Sequence, residues 1–259
     1  MLLDRFRRDP FPAALREYGI ERCSIAGQSV CIGLAPGSEY GRLPLREVPD
    51  APRWVCFFEA PRQADLIRAF VTSPRARNVE RLAIGTSHDY AQKRCIGYDM
   101  SAAVAALKGA KLPSLKRLSL GDMEMLFNGH RLFGTLGDIA HVLDVAPKLE
   151  ELCLHGHFAL QIPGLHTRLR SLAVEVEDIG VTGCPLDQRT VSNLLLCDFP
   201  ALAACDLDLN DDDPEFRYTI PDAFLSEKTF PALELLRINT LTEEADAQIE
   251  AWKARRGVR

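Results

Sequence analysis

The sequence predicts an α/β fold: an irregular solenoid of strand–helix units, with a parallel sheet on its concave side and helices on its convex side. Three observations lead there. A short apolar phrase recurs along the chain, most intervals between its copies can hold a helix, and segments of helical apolar spacing fall in those intervals.

The phrase is apolar-x-x-apolar-x-apolar. It reads Val79-Glu80-Arg81-Leu82-Ala83-Ile84, then Leu115-Lys116-Arg117-Leu118-Ser119-Leu120 and Leu149-Glu150-Glu151-Leu152-Cys153-Leu154. It continues as Leu169-Arg170-Ser171-Leu172-Ala173-Val174, Leu202-Ala203-Ala204-Cys205-Asp206-Leu207 and Leu233-Glu234-Leu235-Leu236-Arg237-Ile238. The separations between Val79, Leu115, Leu149, Leu169, Leu202 and Leu233 are 36, 34, 20, 33 and 31 residues. Pro113, Pro147, Pro200 and Pro231 each stand two residues before a first apolar position. Strand side chains alternate, so the second and third apolar residues of each copy share a face and the residue between them points away. The first closes the turn into the strand. One such unit cannot bury its apolar face alone, whereas stacked units can. A doubly wound α/β domain also alternates strands and helices, but it does not require one phrase at every strand.

The other elements follow in order. Trp54-Val55-Cys56-Phe57-Phe58 supplies an opening strand, so residues 1–60 form an N-terminal cap and residues 61–259 carry about six degenerate repeats. Helical spacing predicts helices over Arg62–Val71, Ser101–Leu107 (closing at Gly109), Leu136–Val145 and Leu186–Cys197. Pro221–Glu227 reads as a short turn, and Thr242–Arg255 as a polar helix capped at Thr242-Glu243-Glu244. Long, dissimilar loops cover His88–Tyr98, Met123–Arg131, Gly156–His166 and Asp208–Thr219, where a rigid scaffold tends to carry function.

Composition narrows the function. In 259 residues, 47% are apolar and 26% charged, enough to build a core without disulfides or metal. The net charge of −5 argues against a nucleic-acid binder and suits a basic protein partner. The charged start Met1-Leu2-Leu3-Asp4-Arg5-Phe6-Arg7-Arg8 does not resemble a secretory leader, and no run is long enough to cross a bilayer. The expected location is therefore cytoplasmic, without membrane contact. The 8 cysteines are scattered with no C-x-x-C pair, as reduced, buried thiols would be.

Leu112-Pro113-Ser114-Leu115-Lys116-Arg117-Leu118-Ser119-Leu120 and Phe230-Pro231-Ala232-Leu233-Glu234-Leu235-Leu236-Arg237-Ile238 resemble leucine-rich repeats. More narrowly, the stretches 79–85, 112–122, 149–156 and 168–172 are similar to uncharacterised bacterial cytoplasmic leucine-rich-repeat proteins. The resemblance runs from about Ala26 to the C-terminus and leaves residues 1–24 unmatched. It implies a solenoid and a binding role, with no established activity. The family's turn asparagine belongs eight residues after the first leucine; only Leu202 has it, at Asn210, while Ser87, Met123, His157, Glu177 and Leu241 stand elsewhere.

By alternation, the open face of the sheet presents Arg81, Arg117, Ser119, Glu151, His155, Glu175, Asp206, Asp208, Arg237 and Asn239. Arginine leads in the early strands and carboxylates in the later ones, a pattern that can read a partner by charge. Asp211, Asp212 and Asp213 extend the acidic stretch. The run from Asp206 begins like a calcium loop, but Asp211 replaces its glycine and Arg217 its closing glutamate. Cys153-Leu154-His155-Gly156-His157 offers soft metal ligands without a second matching pair. Gly33–Ser38 lacks the lysine of a phosphate-binding loop and reads as a turn.

These features lead to a non-catalytic protein-binding scaffold without a cofactor. Two uses fit: an immunity protein that neutralises a basic toxin, or a fixed subunit of a bacterial assembly. The competing class is a metal-dependent or Cys/His enzyme built on Cys153–His157.

Overall fold

The computed structural model describes residues 22–26, 29–32, 41–44, 54–57, 63–85, 98–121, 134–176, 186–209, 217–226 and 228–259. The class is mixed α/β. Ten strands form one sheet: β1 (Arg22–Ala26), β2 (Ser29–Ile32), β3 (Gly41–Pro44), β4 (Trp54–Phe57), β5 (Arg81–Ile84), β7 (Arg117–Leu120), β9 (Glu151–His155), β11 (Ser171–Glu175), β12 (Ala204–Asp208) and β13 (Leu235–Ile238). From β2 through β4, β5, β7, β9, β11 and β12 to β13, each strand lies parallel beside its predecessor. β1 pairs antiparallel with both β2 and β3, so the N-terminal region adds three strands to the expected opening strand.

Every copy of the phrase forms a strand, and all six are in register. Leu82, Leu118, Leu152, Leu172, Cys205 and Leu236 lie level with one another and are buried. Full burial of one such side chain stabilises by about 1.5–3 kcal/mol. The prolines explain the start of four of the six copies. The N–H groups of Leu115, Leu149, Leu202 and Leu233 donate to the carbonyls of Leu112, Ala146, Phe199 and Phe230 at 3.1, 2.9, 3.0 and 3.0 Å. Each is a β-turn with proline at its second position, where a fixed φ favours the turn.

The junctions repeat too. The carbonyl of Glu80 accepts from the N–H groups of Lys116 and Arg117 at 2.8 and 3.1 Å. Lys116, Glu150, Arg170 and Ala203 each accept the same pair from the following unit. Glu234 accepts from Arg259, whose own carbonyl accepts from Leu236, so Arg259 stands where a further strand would pair.

The connections carry α1 (Gln63–Val71), α2 (Ser101–Ala105), α3 (Val142–Val145), α4 (Gln188–Leu195) and α5 (Glu243–Arg256). Leu66, Ile67 and Phe70 of α1 and Val191, Leu194 and Leu195 of α4 join the core formed by the strand leucines. Asp187 caps α4 by accepting from Thr190 N at 2.6 Å.

A second sheet was not expected from the sequence. β6 (Tyr98–Asp99), β8 (Gly134–Asp138) and β10 (His157–Ala159) form three parallel strands in the order β10-β8-β6. The helix expected over Leu136–Val145 is thus replaced by β8 and the single turn α3. Gly134 and Gly137 disfavour helix there, and Gly137 has φ +71. A Cβ at Gly137 would lie 2.8 Å from Ser101 Cβ, so the close approach of α2 also requires glycine.

Among the described residues no helix is long and apolar enough to cross a membrane.

Candidate functional site

The face of the long sheet opposite the leucines consists of three rows. The first runs Arg81, Arg117, Glu151, Ser171, Ala204, Leu235; the second runs Ala83, Ser119, Cys153, Ala173, Asp206, Arg237. The third contains His155, Glu175 and Asp208, followed by Asn239, whose N–H donates to Leu207 O at 3.3 Å. The phrase therefore places the predicted residues on one face, as alternation requires.

That face is not uniformly open. Ser119 is 1% exposed and His155 0% exposed, so neither can present itself to a partner, contrary to the expectation from sequence. Alternation decides which face a side chain takes, but not whether that face is covered. Ala83 is buried as well, whereas Ala173 and Asp206 are half-buried and Asp208, Arg237 and Asn239 are exposed. Closure thus falls on Ala83, Ser119 and His155 in the second and third rows of β5–β9, while Arg81 and Glu151 of the first row stay exposed and β11–β13 are open.

Several predicted residues hold one another. Arg117 pairs with Glu151 at 3.2 Å across adjacent strands, and Arg237 with Asp206 at 3.7 Å. Asn239 donates from Nδ2 to Asp208 at 2.5 Å, while its Oδ1 accepts from Leu209 N at 2.6 Å. Thr240, at φ +61, donates from its hydroxyl to Leu209 O at 3.0 Å. Asn239 and Thr240 therefore fasten the chain leaving β13 to the chain leaving β12. Arg81 is exposed on the first row. Asp211, Asp212, Asp213 and Asn210 lie outside the described residues.

At the open end the face deepens into a cleft of about 640 Å³. The ends of β11, β12 and β13 form its floor, and α5 forms a wall with Asp246, Ile249, Glu250 and Lys253. Among the described residues five carboxylates line it, those of Glu175, Asp206, Asp208, Asp246 and Glu250, against the two cations Arg237 and Lys253. Lys253 is already paired with Glu250 at 2.8 Å. The surplus of negative charge favours a cation from outside. Sequence reasoning missed the α5 contribution because nothing in the repeat phrase encodes where that helix lies. Its only trace is the buried triplet Ala245, Ile249 and Trp252 at helical spacing. Trp252 seats the helix against Phe224, with ring centroids 5.2 Å apart.

The Cys153–His157 segment divides between two sheets. Cys153 and His155 lie on β9, and the chain turns at Gly156 (φ +124) into β10, which holds His157. A Cβ at Gly156 would lie 2.4 Å from Gly134 O, so this crossover also requires glycine. Among the described residues, no group of three or more His, Cys, Asp or Glu side chains is placed to hold a metal ion. Other histidines join chain segments. His166 accepts from Arg168 N at Nδ1, so its Nε2 carries the proton donated to Ala146 O at 2.9 Å. Burial pushes the Cys205 thiol up to about 12 and the Cys197 thiol up to about 11. Both stay protonated at neutral pH and are poor nucleophiles.

No family model matches the sequence. No curated protein matches it either. Among solved structures, the crystal structure of a Bacteroides fragilis protein from a structural genomics programme is similar over 76% of this chain, at 18% identity and a TM-score of 0.46. The chain spans 55% of the length of that protein.

Proposed function

We propose that the chain is a leucine-rich-repeat solenoid acting as a non-catalytic protein-binding scaffold, and that its acidic cleft seats a basic segment of a partner protein. One observation carries the reading: the repeated strands end in an open cleft lined, among the described residues, by five carboxylates and two cations. The solenoid reading is supported by parallel strands that follow chain order from β4 to β13 in the long sheet and by the identical paired hydrogen bonds at successive junctions. A cationic segment would approach the cleft by long-range attraction and exchange its counterions for Glu175, Asp206 and Asp208. Both an immunity protein against a basic toxin and an assembly subunit would use such a surface. A toxin gene beside this one would favour the former.

The test is affinity capture from the native cell by the full chain and by Asp206→Lys/Asp208→Lys, at low and high salt, with bound proteins identified by mass spectrometry. A stoichiometric, basic partner should be held by the unaltered chain at low salt. The double reversal should weaken the isolated complex by at least about tenfold, with a reduced salt dependence. A partner retained equally by the variant would place binding elsewhere. Recovery of no stoichiometric partner at low salt would count against the scaffold.

A further inference from the structure

On the helix side, remote in composition from the acidic cleft, a groove of about 470 Å³ lies between α1 and the turn that follows α2. Arg68, Arg77, Lys108 and Lys111 line it, and among the described residues no carboxylate does. Arg68 is held by Asp65 at 3.2 Å on its own helix. Among the described residues no carboxylate lies within salt-bridge distance of Arg77, Lys108 or Lys111. The chain as a whole carries −5, so this groove is a local concentration of positive charge on an acidic protein. Cations gathered this way repel one another until an anion lies between them.

A second, independent feature lies in the same wall. Ser73 is 3% exposed and lines the groove, and its Oγ has no hydrogen-bond partner. It precedes Pro74, which opens a 3₁₀ turn over Pro74–Asn78, yet its hydroxyl does not cap that turn. The adjacent Thr72 hydroxyl, by contrast, is engaged by Arg68 O at 2.9 Å. Buried hydroxyls are normally satisfied, and an oxyanion would supply the missing acceptor.

We propose that this groove is a binding site for a small ligand carrying two or more phosphate groups. The Arg77 guanidinium and the Lys108 and Lys111 ammonium groups would donate charge-assisted hydrogen bonds to phosphate oxygens, with Ser73 Oγ as a neutral donor. The volume falls in the usual range for small-molecule sites. A nucleic-acid strand is disfavoured, because a chain with a net charge of −5 offers little to neutralise a backbone longer than the groove.

The probe is inorganic tripolyphosphate, titrated calorimetrically into the full chain beside orthophosphate and a random-sequence single-stranded oligonucleotide. Tripolyphosphate should bind one per chain, more tightly than orthophosphate, and weaken with salt. Lys108→Gln/Lys111→Gln should lower its affinity at least about tenfold. Ser73→Ala should lower it about threefold while leaving the melting point unchanged or higher, a combination that a purely structural serine would not give. Arg189→Gln, an exposed cation outside the groove, should leave it unchanged. If the double variant fails to fold, the exposed Lys111→Gln alone decides, with an expected loss of severalfold. No saturable binding at low salt, or equal affinity in every groove variant, would overturn the site. Tighter binding of the oligonucleotide than of tripolyphosphate would overturn the small-ligand assignment.

Discussion

At the scale of single residues, the buried thiols respond to the core around them. Burial raises Cys205 to about 12, with the charges of Asp206 and Cys197 adding to it. Burial likewise raises Cys197 to about 11, opposed by the Gly164 N–H that donates to its sulfur. An unfolded thiol titrates near 9.0. The folded state therefore holds both protons more tightly. Their stabilising contribution is intact below pH 9 and is lost as pH rises through 9 towards 11–12. Urea midpoints of the full chain should be flat in this respect below pH 8 and fall above pH 9. In Cys205→Ala that fall should be shallower by up to about 1 kcal/mol per pH unit. Equal slopes would show that Cys205 ionises as readily folded as unfolded. The same chemistry orders reactivity: at pH 8 iodoacetamide should modify half-buried Cys153 before Cys197 or Cys205, as read by peptide mapping.

At the scale of elements, α5 serves both the edge of the fold and the cleft. Thr242 accepts from Ala245 N at 3.2 Å, Glu243, Glu244 and Asp246 occupy the first turn, and Gly257 ends the helix at φ +69. Thr242→Ala should cost about 1 kcal/mol and lower the melting temperature by a few degrees. An unchanged melting point would mean that Trp252 and Ile249 hold the helix without its cap. This helix was legible in sequence because its cap, acidic first turn and terminal glycine are all local signals. The strand phrase was legible for a related reason, since a period of two across six copies identifies the face of each residue. The small sheet was not, because strands of two and three residues are too short to show a period. The helix expected over Leu136–Val145 rests on Ile139, Val142 and Leu143, which mimic helical spacing; it is not formed because Gly134 and Gly137 disfavour helix and the positive φ of Gly137 interrupts it. The acidic half of the cleft on β12 was visible in the phrase. The half on α5 depends on how Trp252 meets Phe224, a tertiary contact with no sequence period. Burial of Ser119 and His155 is likewise a property of what covers the face.

At the scale of the whole molecule, strand order in the long sheet follows chain order from β4 to β13, so each of these units depends chiefly on its neighbours on either side. The acidic cleft is built at one end of this succession, on β11–β13 and α5, where β13 is the outermost described strand and Arg259 bridges Glu234 and Leu236. Local opening should therefore cost least at this end and most near β9. Leu236→Ala removes a side chain only 1% exposed, at a cost of about 2–5 kcal/mol. Hydrogen exchange read by mass spectrometry should accelerate in β12, β13 and α5 and remain unchanged in β5 and β7. Leu152→Ala, made in β9 with strands on both sides, should instead accelerate exchange in β7 and β11 together. Uniform acceleration from Leu236→Ala would show one all-or-none unit and contradict nearest-neighbour stability. A partner in the acidic cleft should protect the same β12–β13–α5 end, because ligand binding and local closure draw on the same contacts.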